Sequence, residues 1–182
     1  MIKPVKNHFQ PNGFTLLEFV VVIILISILG IIALNSMWSW RIEAERTMIK
    51  SVAGNIRSAL GLETANLALQ NKLHQLPSLS GSNPVLFLAQ PPAEYIGVHV
   101  DSSAKTQQPG IWYFNPLQKA LVYTIRYSEG FKTPLKGQPR VRFRVKLIYS
   151  DKNGNKRYDA GIDSIAGLDL HPMNEYQWVD PK

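Results

Sequence analysis

Residues 12–34 read "NGFTLLEFVVVIILISILGIIAL", a stretch that is apolar almost throughout and yet holds a carboxylate, Glu18. From Phe14 to Leu34 the only polar or charged residues are Thr15, Glu18 and Ser27. At about 1.5 Å of rise per residue a helix over this run is roughly 31 Å long, close to the hydrocarbon thickness of a bilayer. A membrane-length helix therefore organises the chain. An ionised carboxylate inside hydrocarbon costs about 2.5 to 3.5 kcal/mol on insertion scales, so Glu18 calls for a partner, or for a place near the headgroups.

The flanks separate the kinds of segment that could look like this. A cleaved secretory signal has a shorter apolar core followed by a small-x-small site, whereas this core is long and runs into "NSMWSWRIEAER" with no such site. Removal after the run is disfavoured. Residues 1–13, "MIKPVKNHFQPNG", are short, polar and basic through Lys3 and Lys6, with Pro4 and Pro11 opposing a helix and Gly13 leaving an uncluttered backbone for a protease to hold extended. The bond after Gly13 is the expected cut.

The string "G-F-T-L-L-E-F" followed by a long apolar helix closely resembles the class III signal of type IV prepilins and type II secretion pseudopilins. The resemblance implies cleavage between Gly13 and Phe14 by a membrane-embedded prepilin peptidase and methylation of the new Phe14 amine. It also implies that Glu18 pairs with the N-terminal amine of a neighbouring subunit in a filament, which agrees with the need for a counter-charge in an apolar bundle. The bland alternative places Glu18 near the cytoplasmic headgroups of an ordinary anchor. The family often carries a kink-inducing proline midway along the membrane half, where this chain has Asn35.

Lys3 and Lys6 precede the span and no basic residue follows it until Arg41, a small positive-inside bias. With the resemblance, this sets the N-terminus in the cytoplasm and the C-terminal domain in the periplasm, in the inner membrane first and in a fibre after assembly. Beyond the span, Ile42, Ile49, Val52, Ile56, Leu60 and Leu67 recur at helical spacing, and Glu43, Glu45, Arg46, Lys50 and Arg57 are placed mostly elsewhere around the wheel. No proline stands between Pro11 and Pro77, so the helix is expected to run from about Phe14 to about Gln75, with Gly61 or Asn66 as earlier ends.

From Pro77 to Pro92 a turn-rich connector has an apolar centre, Val85 to Leu88, and after it the pattern changes to period two. Candidate strands are 95–100, 111–115, 120–127 and 140–150, joined by short links that imply antiparallel neighbours. The fold class is α+β: a long N-terminal helix, transmembrane in its first half and amphipathic in its second, on a small antiparallel β-sheet, as in type IV pilins. The divisions are a leader at 1–13, an assembly helix at 14–34, its amphipathic continuation at 35–76 and a pilin-like β domain at 77–182. The segments "SNPVLFLAQPPAEYIG" and "WYFNPLQKALVYTIR" resemble minor pilins or pseudopilins of MSHA-like systems more faintly.

Two clusters in the C-terminal part invite a ligand. In "RVRFRVKL" the residues Arg140, Arg142, Arg144 and Lys146 share one strand face, with Lys132 and Lys136 nearby, opposite Val141, Phe143, Val145 and Leu147. That row fits an anion such as DNA phosphate, or a solvated or subunit-facing strand offset by Asp159, Asp163 or Asp169; the second reading weighs more because no aromatic ladder shares the face. In "DKNGNKRYDAGID", Asp151, Asn153, Asn155 and Asp159 have the spacing of a calcium loop, but Lys156 stands where such loops have glycine and Ile162 where they have glutamate. The competing expectation is a type I′ Asn153-Gly154 turn closing a hairpin without metal.

Catalysis is not expected. The chain has no cysteine, hence no thiolate or disulfide, and its four histidines, His8, His74, His99 and His171, are isolated, the last three read as surface or loop residues. No cofactor is implied apart from calcium at residues 151–159. The implied partners are other pilin or pseudopilin subunits, the peptidase, and the inner membrane with its assembly platform, with nucleic acid as the alternative that the basic strand offers. The net charge of +7 favours an anionic partner only where it is clustered. A structural subunit of a pilus or secretion pseudopilus is the leading expectation; a polyanion-binding fibre component and an unprocessed single-span anchor are the alternatives.

Overall fold

A computed structural model describes residues 14–101 and 103–179, apart from the side chains at 35–39 and 104. The chain divides after Trp40 into two compact units. Helix α1 spans Leu16–Leu69. Thr15 caps its start: its carbonyl accepts the first helical N–H, from Phe19 at 3.1 Å, while its hydroxyl accepts the N–H of Glu18 at 3.2 Å. The other end stops on Asn71, which adopts a left-handed φ of 57°. There the Asn71 N–H returns to the Ala68 carbonyl and the Lys72 N–H to the Leu67 carbonyl, a Schellman closure. The helix thus passes both Gly61 and Asn66 and ends before Gln75. Asn71, which tolerates a left-handed backbone, supplies the stop.

In the first unit, the stretch Leu16–Leu34 is long and apolar enough to cross a membrane, and none of it is buried. Ser27, its one hydroxyl, donates to the Ile23 carbonyl at 2.7 Å and so exposes no unsatisfied polar group.

The second unit begins with the amphipathic part of α1. Ile49, Ala53, Ile56, Leu60 and Leu67 form its buried stripe. After the helix, a 3₁₀ turn at Leu73–Gln75 leads into the short α2, Leu76–Leu79, and the connector adds a second 3₁₀ turn, Pro84–Phe87, which buries Val85 and leaves Leu86 exposed. The Gly81 N–H then bonds the Val145 carbonyl at 2.9 Å, fastening the connector to the sheet.

The main sheet contains β1 (Tyr95–Val98), β2 (Trp112–Asn115), β3 (Ala120–Thr124), β5 (Arg140–Ser150) and β6 (Ser164–Pro172), in the order β1-β2-β3-β5-β6. A two-stranded ribbon pairs β4 (Phe131–Lys132) with β7 (Gln177–Trp178). The sheet is mixed where antiparallel pairing throughout was expected, because β1 runs parallel to β2. The segment between them carries a further 3₁₀ turn at Ala104–Gln107 and is long enough for the crossover that a parallel pair requires. The other pairs, β2 with β3, β3 with β5 and β5 with β6, are antiparallel.

One sheet face packs on α1. Trp112, Leu121, Tyr123, Val141, Phe143, Val145 and Leu170 meet the helix stripe in one core. The reverse face carries a smaller cluster of Ile111, Tyr113, Ala120 and Val122. Strands β2 and β3 are consequently buried on both sides. Along the free edge of β6, helix side chains replace a further strand: the Thr64 hydroxyl accepts the Leu168 N–H at 3.3 Å and Arg57 donates twice to the Leu170 carbonyl.

Candidate functional site

Gly13 lies outside the described residues. Phe14, the residue after the expected cut, is 72% exposed. Thr15-Leu16-Leu17-Glu18 is a capping-box sequence, with the threonine hydroxyl on the N–H three residues on and an acid in the first turn, where the helix dipole favours negative charge. The spacing of Thr15 and Glu18 before an apolar run carried that signal, and it gives Glu18 a local role beside any intermolecular one. Between Leu16 and Leu34 it is the only ionisable side chain.

The second charged group that matters is Glu45, which the helical wheel places among the solvated residues. It is buried, 6% exposed. Its Oε1 accepts the Tyr123 hydroxyl at 2.8 Å and the Arg126 N–H at 2.7 Å, and its Oε2 accepts the Tyr127 N–H at 2.9 Å. Those N–H groups belong to the chain just beyond β3, where strand pairing has ended and the donors need another partner. Burial first, and then the hydrogen bond to Glu45, push the Tyr123 pKa well above the ordinary tyrosine value. Glu45 stands four residues before Ile49, in line with the buried stripe; that spacing was the available signal. It fastens the start of the amphipathic helix to the end of β3, beside an open cleft lined by Arg41, Met48, Arg126 and Tyr127.

The basic row does alternate as expected, with Arg140, Arg142 and Arg144 half-buried and Lys146 exposed, against buried Val141, Phe143 and Val145. Each guanidinium hydrogen-bonds inside the fold, although the Nε of Arg140 and of Arg144 is buried without a partner. Arg142 donates to Asn174 Oδ1 and, at 2.9 Å, to Gln118 Oε1; Arg144 donates to the Gln118 carbonyl; Arg140 donates to the Lys136 and Gln138 carbonyls. Asp101 serves the Arg140–Arg142 end of this face, and Asp169, one of the expected acids, stands opposite Lys146 in the β5–β6 register, while Asp159 and Asp163 are taken up in the loop after β5. Asp101 accepts Tyr113 Oη at 2.8 Å, Asn115 Nδ2 at 2.7 Å and Gln118 Nε2 at 2.6 Å, so Gln118 bridges it to Arg142. Burial works to raise the Asp101 pKa, but the three hydrogen bonds and the Arg140 charge outweigh it and hold the carboxyl below its ordinary value. Desolvation, followed by the neighbouring Arg140 charge, lowers the Arg142 pKa.

Residues 151–163 connect β5 to β6, so the hairpin is there, but its closure is a long loop in place of a type I′ turn. Gly154 has φ of 74° while Asn153 does not take the positive φ that such a turn needs. The polar side chains instead build the loop on themselves. Asp151 accepts the N–H groups of Gly154 and Lys156 at 2.7 Å each, and Asp159 Oδ2 accepts Asn153 Nδ2 and Asn155 Nδ2. Asp163 accepts the N–H groups of Lys152 and Asp159 at 3.0 and 2.8 Å. Among the described residues no group of three or more His, Cys, Asp or Glu side chains converges on a metal position.

His171 is a strand residue, in β6, with a part-exposed side chain, so of the surface or loop placements expected for it the surface one holds. It contacts Asp169 Oδ2 at 3.1 Å, and Asp169 Oδ1 in turn lies 3.4 Å from Arg57 of α1. The row ties helix to strand.

Comparison with known proteins bears on the N-terminal segment. A family profile described as the prokaryotic N-terminal methylation motif matches residues 10–34, the span that contains Gly13, Phe14, Thr15, Glu18 and the apolar run. No curated protein and no solved structure matches the chain. The chain thus carries a type IV prepilin-like N-terminal signal on a long helix, followed by an α+β domain with a mixed five-stranded sheet.

Proposed function

We propose that the protein is a structural subunit, a minor pilin or pseudopilin, of a type IV pilus or a type II secretion pseudopilus. It is inserted as a precursor with its N-terminus in the cytoplasm, cut between Gly13 and Phe14 by a prepilin peptidase, methylated at Phe14 and assembled through its apolar helix. It acts as the substrate of an enzyme and not as one. The observation that carries this reading is the methylation motif over residues 10–34 on a helix whose membrane-length part, Leu16–Leu34, is wholly unburied. Such a surface is stable only in lipid or against other helices. Glu18 then pairs with the Phe14 amine of a neighbour, a partner that exists only after cleavage.

Mass spectrometry of the N-terminus from cells that contain a prepilin peptidase tests the proposal. The expected product begins with N-methylated Phe14; an intact Met1 would show an ordinary unprocessed anchor. Glu18→Val is expected to leave the cut in place and to remove the protein from the sheared fibre fraction. Retention of this variant in fibres at the normal level would overturn the pairing role.

A further inference from the structure

The loop 151–163 holds an Asn-Gly pair, Asn153-Gly154, on an exposed surface. In a flexible chain this pair is the one most prone to spontaneous deamidation, since glycine offers no side chain to block approach to its nitrogen. The Gly154 nitrogen attacks Asn153 Cγ, a new N–Cγ bond forms, the Cγ–Nδ2 bond breaks, and Nδ2 leaves as ammonia with the amide proton. Water then opens the cyclic imide to aspartate or isoaspartate.

The fold engages each atom in that sequence. The Gly154 N–H points at Asp151 Oδ1, 2.7 Å away. Attack needs that nitrogen to lose its proton, which would leave an anion against a carboxylate at hydrogen-bond distance. The leaving nitrogen, Asn153 Nδ2, donates to Asp159 Oδ2 at 2.7 Å, and Asn153 Oδ1 accepts the Asn155 N–H at 3.1 Å. The side chain is therefore fixed at both ends. The contact at Oδ1 on its own would polarise Cγ and favour attack, so the restraint on the nucleophile decides the outcome.

We propose that Asn153 is a latent deamidation site, that the loop keeps it intact, and that Asp151 is the residue chiefly responsible, with Asp159 second. Loss of the amide removes its own restraint. A carboxylate at position 153 would face Asp159 where the amide now donates to it, so a deamidated loop loses a hydrogen bond and gains a like-charge contact.

The test is peptide mapping of the full-length protein in detergent after incubation at mildly alkaline pH, with chymotryptic release of the segment between Tyr149 and Tyr158. Mapping is needed because Asn12-Gly13 is a second Asn-Gly pair in the precursor. The urea-unfolded chain supplies the unprotected rate. The folded wild type is expected to convert Asn153 at least about tenfold more slowly than the unfolded chain, the scale of one such restraint on a barrier. Asp151→Ala is expected to recover most of that difference, Asp151→Asn less, and Asp159→Ala least, all at an unchanged midpoint for melting of the domain core. Equal rates in folded and unfolded wild type would overturn the protection. A slow rate kept in both Asp151→Ala and Asp159→Ala would overturn its assignment to these carboxylates.

Discussion

Glu45 of the helix and Tyr123 of β3 are joined by a 2.8 Å hydrogen bond inside the core, 78 residues apart in the chain. The same carboxylate caps the Arg126 and Tyr127 N–H groups. Glu45→Ala strands the buried Tyr123 hydroxyl and two part-buried backbone donors, and an unpaired buried donor costs about 1–3 kcal/mol. A loss on the order of 3 kcal/mol is expected in urea unfolding of the detergent-solubilised chain. Tyr123→Phe leaves the backbone donors satisfied and is expected to cost about 1 kcal/mol. Equal losses for the two variants would show that the carboxylate holds only the phenol.

Alkaline titration reads the same site another way. Of the seven tyrosines, Tyr113, Tyr123 and Tyr176 have raised pKa values, in each case first through burial. A raised folded pKa stabilises the fold fully below the unfolded value, near 10, and that contribution is lost as pH rises through the folded value. These three are expected to ionise only as the domain unfolds. Phenolate absorbance appearing for all seven in one reversible step near the ordinary pKa, with the fold intact, would contradict this.

At the acid end the sign reverses. Asp101 has a lowered folded pKa, so its contribution is present above the unfolded carboxylate value of about 3.9 and is lost as pH falls through the folded one. Asp101→Asn is expected to destabilise the domain at neutral pH and to flatten the acid limb of its stability curve. An unchanged acid limb would remove Asp101 as the support of the arginine face.

Helix and sheet come close where Gly167 of β6 passes Thr64. A Cβ built on Gly167 would lie 3.2 Å from Thr64 Cγ2, and the residue has φ of 154°. Gly167→Ala is expected to lower stability by about 1 kcal/mol or more, through backbone strain and crowding together. In the double variant with Thr64→Ala the crowding part should vanish while the backbone part persists, a separation that a thermodynamic cycle measures.

The polyanion alternative rests on lysines, since the arginines are engaged. Arg142→Glu would set a carboxylate against the acceptor oxygens of Gln118 and Asn174, and is expected to cost about 1–3 kcal/mol, so a loss of binding in that variant would be uninformative. Lys132, Lys136 and Lys146 are exposed, and their joint replacement by glutamate is expected to keep the melting temperature. Filter retention of DNA is expected to be at background before and after. Retention by the wild type that the triple variant loses, with a weakening on added salt, would restore the alternative.

Much of the molecule was legible in the chain because the deciding signals are local. The methylation motif and the apolar span follow from consecutive residues, Gly13 to Leu34, whose chemistry does not depend on distant partners. Four strands followed from period-two alternation, and the arginine row kept its shared face because adjacent strand residues must point oppositely. What stayed illegible depended on long-range partners. Strand β6 was hidden because Gly167 and Asp169 break its apolar pattern, although helix side chains cover its edge. The parallel β1 depended on where a crossover docks. Glu45 looked solvated because charge usually is, until the unpaired N–H groups beyond β3 gave it a reason to be buried. Arg142 and Arg144 looked available to a ligand because their partners, Gln118 and Asn174, are distant in sequence. Consecutive residues determined the anchor and its processing signal, where each requirement is met within a few turns of one helix; only the tertiary structure decided which charges of the folded domain are satisfied from within, because that depends on donors and acceptors brought together by packing.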